Sequence, residues 1–142
     1  MWEKLKRITW VNQPRLWVAI CCIFIATAAQ ARQPESYYQD IWCKQQQGIT
    51  EYTLPDLTRC DCLTDSHAVE VEFGRKWAEG IGQALYYALQ TGHKAGIVLI
   101  LESEKDYKYW LRLNTTIEHH GLEIDTWKIG PVDGTLLKQH QE

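Results

Sequence analysis

Residues 58–87 read TRCDCLTDSHAVEVEFGRKWAEGIGQALYY, two strands of a hairpin running straight into a helix. In the second strand, residues 68–73, period-2 alternation places Val69, Val71 and Phe73 on one face and Ala68, Glu70 and Glu72 on the other. The first face is core. The second carries acids where a strand ordinarily packs apolar side chains, so it faces either water or chemistry.

The helix that follows spans residues 75–90, with Trp77, Ile81, Ala84, Leu85, Ala88 and Leu89 expected to be buried and Gly92 as its stop. Lys76, Gly80, Gln83 and Tyr87 recur at i, i+4, i+7 and i+11, one narrow stripe of that helix. A glycine inside a helix costs about 1 kcal/mol relative to alanine, and Gly80 and Gly82 are both there. Close approach to the sheet or to a ligand is one reason to tolerate them. The alternative is that the stripe is simply the polar side of an amphipathic helix.

Working outward, residues 35–47 predict a helix with Tyr38, Ile41 and Trp42 as its apolar stripe, Ser36 as a capping candidate and Gly48 as its stop. Residues 49–54 and 58–63 predict strands joined by a turn at Pro55-Asp56, and Thr64-Asp65-Ser66-His67 forms the next turn. Residues 95–101 are an apolar, β-branched run, which suits a strand buried on both faces in parallel pairing. Ser103 opens a helix running to residue 119, Gly121 ends it, and residues 122–129 form a last strand before a tail from Gly130. The order αβββαβαβ implies an α/β fold: a meander followed by two crossover units, in a mixed sheet flanked by helices.

Register sharpens the acidic pattern. A four-residue loop at 64–67 sets Leu63 opposite Ala68 and Asp61 opposite Glu70, and a three-residue loop at 55–57 sets Leu54 opposite Thr58 and Glu51 opposite Asp61. Glu51, Asp61 and Glu70 then form a row across three strands, with Glu72 one step along. Apposed carboxylates repel by up to about 1 kcal/mol per pair in a sheet, and oxygen ligands from two or three of them are what Mg²⁺ or Mn²⁺ requires. The competing expectation is a solvated sheet face whose acids never meet.

The N-terminus carries Lys4, Lys6, Arg7 and Arg15, then a charge-free apolar run over residues 16–29, then Ala29-Gln30-Ala31. These are the features of a signal peptide over residues 1–31, so the chain is expected to be exported, periplasmic or secreted, with no stable membrane association after cleavage. An uncleaved N-terminal anchor is the alternative, although the run is short of the roughly 20 residues that span a bilayer. Cleavage would remove four of the 15 basic and one of the 18 acidic residues, leaving 11 against 17 and a net charge near −6. That excludes a broad basic face for double-stranded DNA and leaves local, metal-assisted contact.

Cys43, Cys60 and Cys62 would remain, and an odd number in an oxidising compartment implies a free or intermolecular thiol. Cys60 and Cys62 share one face of their strand, opposite Asp61, and are expected in the core; no fourth ligand suggests zinc. His67 and His93 read as surface residues. His119 and His120 lie about 100° apart on a helix end and so do not readily chelate one ion. Asn114-Thr115-Thr116 matches a glycosylation sequon in a helical setting.

Together these residues resemble the PD-(D/E)XK nuclease superfamily. Its restriction-endonuclease-like αβββαβ core is similar to residues 35–101, here with an extra αβ unit, so that the domain would span residues 32–129 with a C-terminal tail at 130–142. Asp61 looks like the first acid of the signature, Glu70-Val71-Glu72 like the second motif, and Gln83-Ala-Leu-Tyr-Tyr87 like the Gln-x-x-x-Tyr motif of the RecB and lambda-exonuclease branch. The resemblance implies phosphodiester hydrolysis of nucleic acid, DNA in preference to RNA, with Mg²⁺ or Mn²⁺ held by Asp61, Glu70 and Glu51. Glu72 stands where the family has its catalytic lysine; the resemblance allows Lys76, one turn into the helix, to take that role, with Glu72 placing water or a second metal and Gln83 and Tyr87 orienting water or strand. The replaced lysine and the acidic charge also leave open a catalytically degenerate, exported interaction or scaffold module.

Overall fold

The computed structural model describes residues 32–130 and 136–137, and the expected export segment lies outside the described residues. Among the described residues no helix is long and apolar enough to cross a membrane. In chain order the elements are α1 (Glu35–Gln45), β1 (Ile49–Thr53), β2 (Arg59–Leu63), β3 (His67–Phe73), α2 (Trp77–Thr91), β4 (Lys94–Ile100), α3 (Tyr107–His120), β5 (Ile124–Ile129) and β6 (Leu136–Leu137). Short 3₁₀ turns, Gly74–Lys76 and Glu104–Asp106, lead into α2 and α3. The sheet runs β1-β2-β3-β4-β5-β6. The meander β1-β2-β3 is antiparallel, β3-β4-β5 are parallel, and the two-residue β6 pairs antiparallel with β5, so part of the expected tail joins the sheet.

The protein is therefore an α/β layered fold around a mixed sheet. Strand β4 decides the layers, because it is buried on both faces as its unbroken apolar run requires. Val98 and Ile100 pack with Tyr38, Trp42 and Cys43 of α1, while Ala95, Ile97 and Leu99 pack with Ala84 of α2 and Leu113 and Ile117 of α3. Within β4, Gly96 is fixed by close approach: a Cβ there would meet Trp127 Cζ3 at 2.8 Å and Val69 Cγ2 at 3.0 Å.

Local signals set the helix ends, with one exception. Ser103 and Asp106 form a reciprocal capping box ahead of α3, and α2 and α3 stop at Gly92 and Gly121, both left-handed. The expected Ser36 cap does not form. Pro34 is the N-cap of α1 and no side chain caps it, since the proline ring carries no oxygen to accept an N–H of the first turn.

Helix α2 sits on the sheet through a different face from the expected one. Gly80, Ala84 and Tyr87 are its buried residues, Trp77, Ile81 and Ala88 are half-buried, and Leu85 and Leu89 are 38% and 77% exposed. The glycine at 80 brings the helix onto β3, with Glu72 Cβ 3.8 Å from where a Cβ would stand, whereas Gly82 has nothing within 4 Å. The stripe through Lys76, Gly80, Gln83 and Tyr87 is thus turned toward the acidic strand and is not the solvent side.

Candidate functional site

The site lies in a fork between β2 and β3. Their ladder pairs Leu63 with Ala68 and Cys62 with Val69 and goes no further. Beyond that point the Asp61 carboxylate takes over, accepting the Val71 N–H at 2.8 Å. On the outer side, β1 pairs Thr50 with Cys62 and Tyr52 with Cys60, which places Glu51 across from Asp61 as register predicts. Glu51 itself has φ 53°, left-handed for a non-glycine residue inside a strand.

Alternation of faces breaks at this kink, which corrects the expected placement of the cysteines. Cys62 packs on the α1 side and is disulfide-bonded to Cys43, whereas Cys60 is a free thiol buried with Leu54, Ala68 and Tyr87 on the α2 side. Burial pushes the Cys60 thiol up to about 11, so it stays protonated and unreactive.

Five titratable side chains meet at the fork. Glu70 and Glu72 of β3 are each only 4% exposed, an unusual depth for carboxylates. Glu72 Oε1 accepts from Lys76 Nζ at 3.0 Å and its Oε2 accepts the Phe73 N–H at 3.2 Å. Glu70 Oε2 is buried with no hydrogen-bond partner. Burial, then Asp61 and Glu72, push the Glu70 carboxyl up to about 9. Burial, opposed by the Val71 N–H and helped by Glu51 and Glu72, raises Asp61 to about 6. The fifth is Glu35, which opens α1 and is raised to about 7 by burial and by Glu72, with Lys76 opposing. Bringing four carboxyls together with Lys76 paired to only one of them makes their charged forms costly.

Sequence reasoning passed over one member of this set, Glu35, and its neighbour Gln39. Glu35 lies at i relative to Tyr38, Gln39 and Trp42 at i+3, i+4 and i+7, and that spacing is the signal that puts it on the sheet-facing stripe. Gln39, also buried, donates Nε2 to Glu51 Oε1 at 2.8 Å and to the Asp61 carbonyl at 3.0 Å, tying α1 to β1 and β2. Glu51 is otherwise taken by Arg59 at 2.7 Å and stands at the rim of the cluster. Tyr87 is buried, its hydroxyl raised by burial and by Glu70, with Gln83 alongside.

Among the described residues, no three His, Cys, Asp or Glu side chains are arranged, as they stand, around a point one ion could occupy. The carboxylates are instead held by the chain's own donors: Asp61 by the Val71 N–H, Glu72 by Lys76 and the Phe73 N–H. The donor chemistry nevertheless fits a hard divalent cation. Every candidate ligand is an oxygen, and Glu70 offers a buried oxygen that nothing else satisfies.

Among the described residues, the histidines play no part in the fork. His67 is half-buried and not a free surface residue: its Nε2 meets Asp125 Oδ2 at 2.7 Å, its Nδ1 meets Ser66 Oγ at 2.7 Å, and its ring abuts Trp127. Asn114 is also committed, donating to the Trp110 carbonyl and accepting from Thr126, both at 2.8 Å, so its amide is not free to take a sugar. No protein-family model matches this chain, and neither a curated protein nor a solved structure matches it at a significant level.

Proposed function

We propose that this protein is a metal-dependent nuclease of the PD-(D/E)XK type, hydrolysing phosphodiester bonds of nucleic acid at the β2–β3 fork. The observation that carries the reading is the convergence of Glu35, Asp61, Glu70 and Glu72 with Lys76, and within it the unpartnered, buried Glu70 Oε2. Element order from α1 to β4, with β3 and β4 parallel, supports the restriction-endonuclease-like core. Gln83 and Tyr87 on the sheet-facing side of α2 support the Gln-x-x-x-Tyr branch.

Asp61 and Glu70 would hold Mg²⁺ or Mn²⁺, with Glu35 replacing Glu51 as the third acid because Glu51 is committed to Gln39 and Arg59. A bound divalent ion supplies Lewis acidity toward the phosphate and lowers the pKa of its water. Lys76, released from Glu72, stabilises the charge that develops on the phosphoryl oxygens. Glu72, freed in turn, accepts a proton from the attacking water. Gln39 keeps the Asp61 backbone in place, and Gln83 and Tyr87 close the α2 side.

The Cys43–Cys62 disulfide supports export, since such bonds persist in oxidising compartments. The Glu72–Lys76 ion pair is what favours the second reading, a degenerate nuclease fold used as a scaffold: it occupies the lysine that the chemistry needs. The deciding experiment incubates the protein with labelled single- and double-stranded DNA and RNA in Mg²⁺, Mn²⁺ or EDTA, beside Asp61→Asn and Glu70→Gln. Cleavage that requires the metal and both acids is expected. Cleavage indifferent to EDTA and to both substitutions, or none at all, overturns the nuclease reading.

A further inference from the structure

A second set of side chains gathers around Phe73, the residue that follows Glu72 at the end of β3. A cleft of about 260 Å³ at the C-terminal end of β3 and β4 is lined by Arg32, Phe73, Arg75, Glu102 and Tyr109, among others. The Arg32 and Arg75 guanidinium carbons stand 4.7 and 4.9 Å from the centroid of the Phe73 ring. Glu102 pairs with Arg32 and lies 4.0 Å from Arg75, so one carboxylate holds two guanidinium groups side by side. The other acid of the cleft, Asp106, is spent on the backbone N–H groups of Glu102 and Ser103 and on the Ser103 hydroxyl.

Across the cleft, Gly74 lets Tyr109 close in, since a Cβ at 74 would meet Tyr109 Cδ2 at 3.1 Å. The Lys108 and Arg112 cations lie 4.9 and 5.7 Å from the Tyr109 ring centroid and continue the positive wall along α3. Both arginine side chains are about half exposed, at 53% and 51%, and so keep donors free for a ligand. Planar guanidinium forks that share an aromatic platform suit a phosphate oxygen pair.

The cleft and the acids are neighbours along the backbone on opposite faces at the C-terminal end of β3, the Phe73 ring turning to the α1 side and Glu72 to the α2 side. Phe73 immediately follows Glu72, Arg75 immediately precedes Lys76, and Arg32 precedes Glu35 by three residues, a span of at most roughly 11 Å of chain. A strand with its scissile phosphate at the acids that passed around this end of β3 would bring a nearby phosphate to the arginines.

We infer that the Arg32–Phe73–Arg75 cleft binds a phosphodiester group of a single-stranded polynucleotide next to the one being cleaved. The inference rests on the nuclease reading and adds its substrate class. A narrow cleft with two half-exposed arginines, on a domain of net negative charge, takes one flexible strand; it offers no broad face to a duplex.

The test separates binding from cleavage. Fluorescent single-stranded DNA and RNA of one sequence, and the matching duplex, are titrated in EDTA against the wild-type protein, Arg32→Gln/Arg75→Gln and Glu102→Gln, over a series of salt concentrations. Removing both guanidinium groups from that one phosphate should lower single-strand affinity about tenfold or more and reduce the salt slope by about 0.7. Removing the Glu102 carboxylate should tighten binding, an outcome that loss of folding cannot imitate. The DNA and RNA arms show which backbone is taken. Cleavage in Mg²⁺ with unchanged single-strand binding in both variants overturns the cleft alone, as does duplex binding tighter than single-strand binding. Binding that the arginine substitutions abolish, without cleavage in any metal, overturns the nuclease and leaves the cleft standing. Absence of both binding and cleavage overturns both.

Discussion

Val71 donates its backbone N–H to the Asp61 carboxylate at 2.8 Å, at the first position where β2 no longer pairs with β3. A side chain thus closes the ladder that the backbone leaves open, and the opening is where Glu35 reaches Glu72 and Asp61. The same carboxylate serves the fold as an acceptor and the proposed site as a ligand.

Those two roles can be separated by substitution. Asp61→Asn keeps an oxygen for the Val71 N–H and is expected to melt within about 0.5 kcal/mol of wild type, whereas Asp61→Ala leaves that N–H unsatisfied and costs about 1–3 kcal/mol. Both should lose metal-dependent cleavage. Denaturant unfolding beside an activity assay checks this, and equal stability of the two variants would remove Asp61 from its structural role.

Glu70 gives a pH dependence with a definite sign. Its carboxyl is raised from 4.5 to about 9, so between those values the folded protein keeps a proton that the unfolded chain has released. Stability of the metal-free protein therefore falls as pH rises through that window and levels off above it. Glu70→Gln should flatten the thermal-midpoint profile between about pH 7 and 9, above the range in which the raised Asp61 and Glu35 also release protons, and gain about 1–3 kcal/mol at its alkaline end, where a buried charge is replaced by a neutral amide. Mg²⁺ should raise the midpoint of the wild type in the same alkaline range and have little effect on the variant. A pH-independent wild-type midpoint would show that Glu70 is not buried as a proton-holding group.

Gln39 should behave as a positioning residue. Gln39→Leu removes both of its donor bonds, to Glu51 and to the Asp61 carbonyl, at a cost of about 1–2 kcal/mol. Cleavage should slow through kcat with KM little changed, because Gln39 moves a ligand and touches no substrate. Unchanged kcat in a folded variant would deny it that part.

The disulfide makes a prediction about stability and another about labelling. Cys43 and Cys62 are separated by 19 residues, and opening a loop of that size costs about 3 kcal/mol in chain entropy. Reductant, or Cys43→Ser/Cys62→Ser, should lower the thermal midpoint accordingly. Thiol reagents should leave Cys60 unlabelled until the protein unfolds, read by peptide mass mapping. Rapid labelling of Cys60 in the native state would contradict its burial.

On α2, Gly82→Ala should stabilise the protein by about 0.8–1 kcal/mol and leave cleavage unchanged. The position is exposed and nothing stands within 4 Å of the added methyl. A loss of activity would mean that this turn of α2 contacts substrate.

The residues that could be read directly were those whose neighbours along the chain fix their environment. Period-2 alternation in 68–73, the apolar run of β4, Ser103 as a cap and the stops at Gly92 and Gly121 all express rules that act within a few residues. Loop length set the hairpin registers as far as Glu51 opposite Asp61 and Leu63 opposite Ala68, but the expected Asp61–Glu70 pair does not form, because the β2–β3 ladder ends at Cys62 and Val69. What failed was whatever depended on a kink or on a helix's rotation. An undistorted strand gives Cys60 and Cys62 one face; the left-handed Glu51 and the fork at Asp61 send them to opposite cores.

By itself, then, the sequence determined the order of elements, the mixed sheet and the presence of acids on one face of β3, because strand and helix periodicities are local properties of the backbone. Only tertiary structure decided which acids meet. It rotated α2 so that Gly80 and Tyr87 face β3, drew Glu35 in from a helix that precedes the hairpin by more than a dozen residues, and tied Glu51 to Gln39 and Arg59. Those contacts join segments distant in sequence, and packing of whole elements, which no short window of residues encodes, sets them.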